Sequence, residues 1–114
     1  MTSEKSELLQ GTLDMLILQT VAAGPMHGYA IGQRIHRISR AALDVQQGSL
    51  YPALHRLEER GLVTAAWRET EGGRMAKYYS LTRKGRKRLE VEKSEWARLS
   101  EAIALILAGQ PEEV

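Results

Sequence analysis

The sequence predicts a mainly α-helical winged helix-turn-helix: three short helices, a small two-stranded wing, and a long C-terminal dimerisation helix. Three observations carry that expectation. Apolar residues recur at helical spacing in three successive stretches before residue 61. A Gly-Gly-centred loop then joins two β-compatible runs. Last, residues 83–108 read as a single helix of about 39 Å, too long to pack fully against so small a domain.

The first helix is expected over residues 8–23. Leu9, Leu13, Leu16, Ile17 and Thr20 form its stripe, and Gly24-Pro25 ends it. Ile31, Ile35 and Ile38 define a second helix over residues 28–39, opened by "MHGY". A polar turn containing Asp44, Gln46 and Gln47 leads to the third helix, within "GSLYPALHRLEERGLV". There Ser49 is a plausible N-cap, because its hydroxyl can satisfy a free N–H of the first turn. Pro52 would then fall in that turn, where its missing N–H costs nothing. Leu50, Leu54 and Leu57 form the buried stripe, and Gly61 suits a left-handed C-terminal position. Val63–Trp67 and Ala76–Leu81 are the expected wing strands around "RETEGGR". Thr82 can cap the last helix, on which Trp96, Leu99, Ile103 and Ile106 alternate in steps of three and four. Glu92 breaks this seam upstream, and Gly109 and Pro111 end the helix. Residues 1–82 are thus expected to form the winged motif, and residues 83–114 a dimerisation helix and tail continuous with it.

Composition narrows the function. The chain has 114 residues, which fits one domain, and no cysteine, so disulfide and thiolate chemistry are excluded. The apolar run "LDMLILQTVAAG" is interrupted by Asp14 and Gln19 and is too short for a bilayer, so no membrane partner and a cytoplasmic location are expected. The three histidines have neither cysteine partners nor metal-site spacing, and Glu58 and Glu59 have no evident acid–base partner. Neither an enzyme nor a cofactor is expected. The net charge of +2 hides an uneven distribution. Residues 68–88 hold eight Lys/Arg and two Asp/Glu, whereas residues 89–114 hold two and six. A polyanion-binding middle and an acidic far end are what this pattern suits.

In a winged helix-turn-helix the third helix enters the DNA major groove by its N-terminal half, while the wing reaches backbone or minor groove. With the leucine stripe turned inward, Ser49, Tyr51, Pro52, His55 and Arg56 are expected to face out, with Gln46 and Gln47 just before them. Glutamine can pair with adenine edges, and arginine with guanine or phosphate. Tyr51 could equally pack on the second helix. On the wing, Arg68, Arg74 and Lys77 are cationic, with Arg74 beside the Gly72-Gly73 tip. The run "RKGRKR", residues 83–88, suits either phosphate contacts or pairing with Glu90 and Glu92.

The blocks "LQGTLDMLILQTVAAGPMHGYAIGQRI", "QQGSLYPALHRLEERGLV" and "GGRMAKYYSLTRKGRKRL" resemble the signature of the PadR family of bacterial transcriptional regulators, over about residues 8–90. The resemblance implies a dimeric winged-helix repressor, often responsive to small molecules, in a short form with one C-terminal dimerisation helix. It implies recognition-helix roles for Ser49, Tyr51 and His55, and a basic–aromatic wing pair in Lys77 and Tyr78. Some short members resemble multidrug sensors that hold a flat aromatic ligand against an interface tryptophan. Trp96 is therefore a candidate contact for a small aromatic effector as well as an interface residue with Leu99, Ile103 and Ile106. The expected partners are double-stranded DNA and a second copy of the chain. The rival class is a winged-helix module that binds only protein, and salt dependence of DNA binding separates the two. Within the DNA-binding class, a MarR-like arrangement would need further dimerisation helices ahead of the motif.

Overall fold

The computed structural model describes residues 2–109, with side chains described from residue 12 onward. Its elements are α1 (Thr2–Val21), β1 (Met26–His27), α2 (Gly28–Ile38), α3 (Gln47–Glu59), β2 (Val63–Glu69), β3 (Met75–Leu81) and α4 (Arg83–Leu107). The order matches the expectation, with one addition. The wing belongs to a three-stranded antiparallel sheet in the order β1-β3-β2, because Met26 and His27 pair with Tyr79 and Tyr78. A two-residue strand leaves no alternation to detect in sequence. β2 and β3 are also longer than expected, so that Glu69 pairs with Met75 and the loop shrinks to Thr70–Arg74. Of the residues expected to shape the first and last helices, Leu9 lies outside the described side chains and Pro111 outside the described residues.

The core is the leucine and isoleucine stripes folded together. Leu13, Ile17, Leu18, Ile31, Ile35, Leu50, Leu54, Leu57, Leu62 and Val63 are buried in one cluster that Tyr79 and Leu89 complete. Tyr78 and Tyr79 point to opposite faces of β3, and Tyr79 is the buried one. Each such leucine or isoleucine contributes roughly 1.5–3 kcal/mol of apolar burial.

Two glycines sit at close approaches, and at Gly85 the neighbour is backbone. A Cβ on Gly85 would strike the Leu62 carbonyl oxygen, so only glycine lets the first turn of α4 lie on the α3–β2 junction. That junction turns at Gly61, whose φ of +75° follows the Arg60 C-cap, as the sequence suggested. Thr82 locks the same corner. Its Oγ1 accepts from Gly85 N at 2.9 Å and lies 2.7 Å from the Gly61 carbonyl, within donating distance. Lys84 Nζ donates to the Arg60 carbonyl at 2.9 Å, placing a cation at the C-terminal end of α3.

The second close approach is at Gly28. A Cβ there would stand 2.6 Å from Tyr51 Cε1, so the ring of Tyr51 occupies the space that glycine leaves at the start of α2. His27 caps α2, its Nδ1 accepting from Ala30 N at 3.3 Å, and its ring meets Tyr78 edge-on at 5.2 Å. This explains why histidine and glycine open the second helix. The turn between α2 and α3 holds two left-handed residues, Arg40 at φ 55° and Ala41 at φ 66°. The Ser39 hydroxyl accepts from Leu43 N at 3.0 Å and supports that turn.

Beyond Glu92, every residue of α4 is exposed. The molecule measures 62 × 32 × 21 Å, its long dimension reflecting a helix that runs past its own domain. No helix among the described residues is long and apolar enough to cross a membrane.

Candidate nucleic-acid interface

The site is built on α3, whose inner face is fixed by Leu50, Ala53, Leu54 and Leu57, all buried. Burial of that stripe leaves Gln46, Gln47, Tyr51, Pro52 and His55 exposed at the N-terminal half. Ser49 is not the cap. α3 starts three residues earlier than expected: Gln46 is the N-cap residue and makes no side-chain cap bond. Ser49 sits in the first turn, half-buried, its backbone N–H donating to the Gln46 carbonyl at 3.0 Å. Pro52 consequently lies in the second turn. Its missing N–H leaves the carbonyl of exposed Gly48 without a helical donor, and solvent can serve it there.

His55 points outward and lies 3.3 Å from Glu59, an exposed i,i+4 pair that is ionic only when the imidazole is protonated. Tyr51 does two things. One side of its ring covers Gly28, and the rest remains exposed. Of the alternatives left open by the sequence, packing on α2 is the one seen, and the ring keeps an exposed side.

Arg56 departs from its expected place. Its guanidinium turns toward α1 and donates to Asp14 Oδ1 at 3.5 Å, with Arg60 3.8 Å from the other oxygen. The side chain of Asp14 is only 19% exposed. Burial pushes its carboxyl above the ordinary aspartate value, outweighing the lowering influence of Arg56; Glu92 raises it further and Arg60 lowers it. One helical turn separates His55 from Glu59, and a single step of about 100° carries Arg56 off the outward face. Arg56 thus joins α3 to α1.

The wing cations divide in the same way. Lys77 Nζ pairs with Glu58 at 3.2 Å and lies 5.8 Å from the centre of the Tyr79 ring, so it ties β3 to α3. The hydrogen bond to Glu58 raises its pKa. Arg68 stacks over Tyr78 at 4.4 Å on the opposite face of the hairpin. Arg74 is exposed beside the tip, its carbonyl accepting from Thr70 N at 2.7 Å to close the loop. In the 83–88 run, Arg88 pairs with Glu92 at 2.8 Å and Lys84 is held by α3. Arg83, Arg86 and Lys87 stay exposed.

Two further aromatics are exposed near this surface. Tyr29, at the start of α2, is 56% exposed, and Trp67, on β2, is 64% exposed. Trp67 shares the strand face of buried Val63, and only its distance from the core leaves it uncovered. On α4, Trp96, Leu99, Ile103 and Ile106 are 46%, 51%, 43% and 75% exposed, forming the uncovered seam that their spacing suggested.

A helix-turn-helix carrying a β-hairpin wing and a projecting last helix is a winged helix-turn-helix of the kind transcriptional regulators use. The family model "Transcriptional regulator PadR-like family" matches residues 17–91. This chain belongs to that family, whose members are transcriptional regulators rather than enzymes. A transcriptional regulator of Mycobacterium tuberculosis is 33% identical over 104 residues, with 91% of each chain covered. The crystal structure of a PadR-like regulator from Bacillus cereus superposes with a TM-score of 0.79 at 28% identity, covering 91% of this chain and 99% of that one. A transcriptional regulator of Escherichia coli K12 is 31% identical over 99 residues; the match covers 87% of this chain but 46% of that longer protein.

Proposed function

We propose that the protein is a sequence-specific DNA-binding repressor that acts as a homodimer on an inverted-repeat operator. The observation that carries this reading is the face of α3. Its inner side is locked into the core, while Gln46, Gln47, Tyr51 and His55 project together from the N-terminal half. Gln46 and Gln47 suit adenine edges, and Ser49 and His55 flank them; Arg74 at the wing supplies a phosphate contact. Arg56 and Lys77, engaged with Asp14 and Glu58, shape this surface rather than touch the bases.

The dimer follows from the seam on α4. Between 43% and 75% of each of Trp96, Leu99, Ile103 and Ile106 remains to be covered. Counted on both helices, that is a gross gain on the order of 10 kcal/mol at about 25 cal/mol per Å². It is comparable with the cost of association, so the dimer depends on protein concentration. A two-fold axis along α4 presents two copies of α3 to successive major grooves and points the acidic far end away from the phosphates. Through the family resemblance, a flat aromatic effector at Trp96 belongs to the same reading as the signal that releases the DNA.

Fluorescence anisotropy with a duplex selected from a random pool tests it. Binding should weaken as salt rises, and Arg74→Ala should reduce the salt slope by about one phosphate for each wing that touches the backbone. Binding of protein partners with no affinity for any duplex at low salt would contradict it.

A further inference from the structure

Between the wing and the helices runs an open cleft, and Tyr29, Trp67 and Met75 in its lining have no part in the roles above. Its helical wall carries Tyr29 and Tyr51, and its wing wall carries Trp67, Met75, Lys77 and Arg74. Trp67 and Lys77 are direct partners across β2 and β3, so both side chains leave the same face of the hairpin. Trp67, Met75 and Tyr29 are each more than half exposed. Single exposed apolar residues need no explanation, but several around one cleft mark a contact surface.

The position of the cleft says what covers it. If α3 lies in the major groove and the wing reaches the neighbouring minor groove, the strand dividing those grooves must pass between α3 and the wing. A sugar–phosphate strand offers apolar deoxyribose faces alternating with anionic phosphates. The cleft alternates in kind, with Trp67 and Met75 apolar and Arg74 cationic, beside Lys77 in its pair with Glu58. The Tyr29 hydroxyl already accepts from Gln33 Nε2 at 3.0 Å, which leaves its own proton free to donate.

We propose that this cleft seats one sugar–phosphate strand of the operator, with Trp67 packed on a deoxyribose face and the Tyr29 hydroxyl donating to a phosphate. The inference rests on the DNA-binding reading and adds to it a contact that is apolar and therefore insensitive to salt. It also gives the wing a way of sensing groove width, since the indole meets the sugar only when the strand lies at the right depth.

The test uses the full-length chain carrying Trp96→Phe, so that Trp67 is the single tryptophan, after sedimentation has matched it to the wild type. Selected duplex and a mixed-sequence duplex are each titrated in. Trp67 emission should change on binding, and its quenching by acrylamide should fall at least twofold. Trp67→Ala in the wild-type background should weaken both duplexes roughly tenfold, as removal of a half-buried indole implies, with the salt slope unchanged. Tyr29→Phe should weaken both several-fold. Duplex binding with Trp67 emission and acrylamide access unaltered overturns the cleft proposal and leaves the DNA reading intact. So does a Trp67→Ala variant of wild-type affinity. A wild-type chain that binds no duplex at low salt removes the DNA reading itself.

Discussion

Gly85→Ala should uncouple the last helix from the winged motif. The added methyl would meet the Leu62 carbonyl oxygen head-on and stand 2.8 Å from Leu81 Cδ1 and 2.9 Å from the Leu62 carbonyl carbon. The carbonyl is backbone, so it has no rotamer to change. To restore separations of about 3.5 Å, the start of α4 must withdraw by roughly 1 Å or more. Withdrawal weakens the Thr82 cap, at a cost of about 1 kcal/mol. Overpacking at the corner adds about 1–3 kcal/mol. The sum is roughly 2–4 kcal/mol, or a fall in Tm of about 8–16 °C at about 4 °C per kcal/mol for a chain of this size. Circular dichroism melts at one fixed protein concentration measure it, since dimerisation shifts Tm. Gly48→Ala is the control. It lies in the first turn of α3, with nothing within 4 Å of the added Cβ. Alanine there should leave Tm unchanged or raise it slightly. A Gly85→Ala variant that melts within about 2 °C of the wild type, equivalent to roughly half of 1 kcal/mol, would refute this account of the corner.

Three other outcomes follow from the same geometry. Burial raises the Asp14 pKa, so the folded state holds that proton more tightly than the unfolded chain. The stability this group supplies is present below its unfolded value of 3.8 and is lost as pH rises through the higher folded value. Asp14→Asn should therefore gain on the wild type between about pH 4 and pH 7 in urea titrations; losing ground over that range would mean that the arginines outweigh the burial. Leu99→Asp with Ile103→Asp should sediment as a monomer and bind the operator far more weakly, because two charges would face the seam. For the effector, planar aromatic cations should quench tryptophan emission at micromolar levels in the wild type and in Trp67→Ala but not in Trp96→Ala. An unquenched wild type across a varied panel would leave Trp96 as interface alone.

Elements governed by periodicity were legible in the sequence. Leucines and isoleucines at helical spacing marked three helices and the inward side of α3. Thr82 was legible as a cap and Gly61 as a left-handed stop, because few residues serve those positions. What stayed hidden depended on partners distant in sequence. Arg56 looked outward on a helical wheel, yet Asp14, 42 residues away, draws it toward α1. Lys77 looked like a free wing cation, yet Glu58 of α3 holds it. Ser49 looked like a cap because serine favours caps, but the helix began at Gln47, where no side-chain cap marks it. Trp67 was hidden because strand alternation places it on the face of buried Val63, whereas Tyr29 lies opposite the Ile31 and Ile35 stripe and nothing nearer in sequence links it to the wing. Only the tertiary shape shows that the core ends before reaching Trp67.

The central claim is that the exposed N-terminal half of α3 reads DNA in a two-fold assembly. The most direct measurement is the affinity of a selected inverted-repeat duplex at about 50 and 200 mM salt, for the wild type and for Gln47→Ala. With about four phosphates neutralised per dimer, wild-type affinity should fall roughly a hundredfold over that range. Gln47→Ala should keep the slope, weaken the selected duplex by about 1–3 kcal/mol and leave a mixed-sequence one unaffected. Equal affinity of the variant and the wild type for the selected duplex, or binding that ignores salt, would contradict the claim.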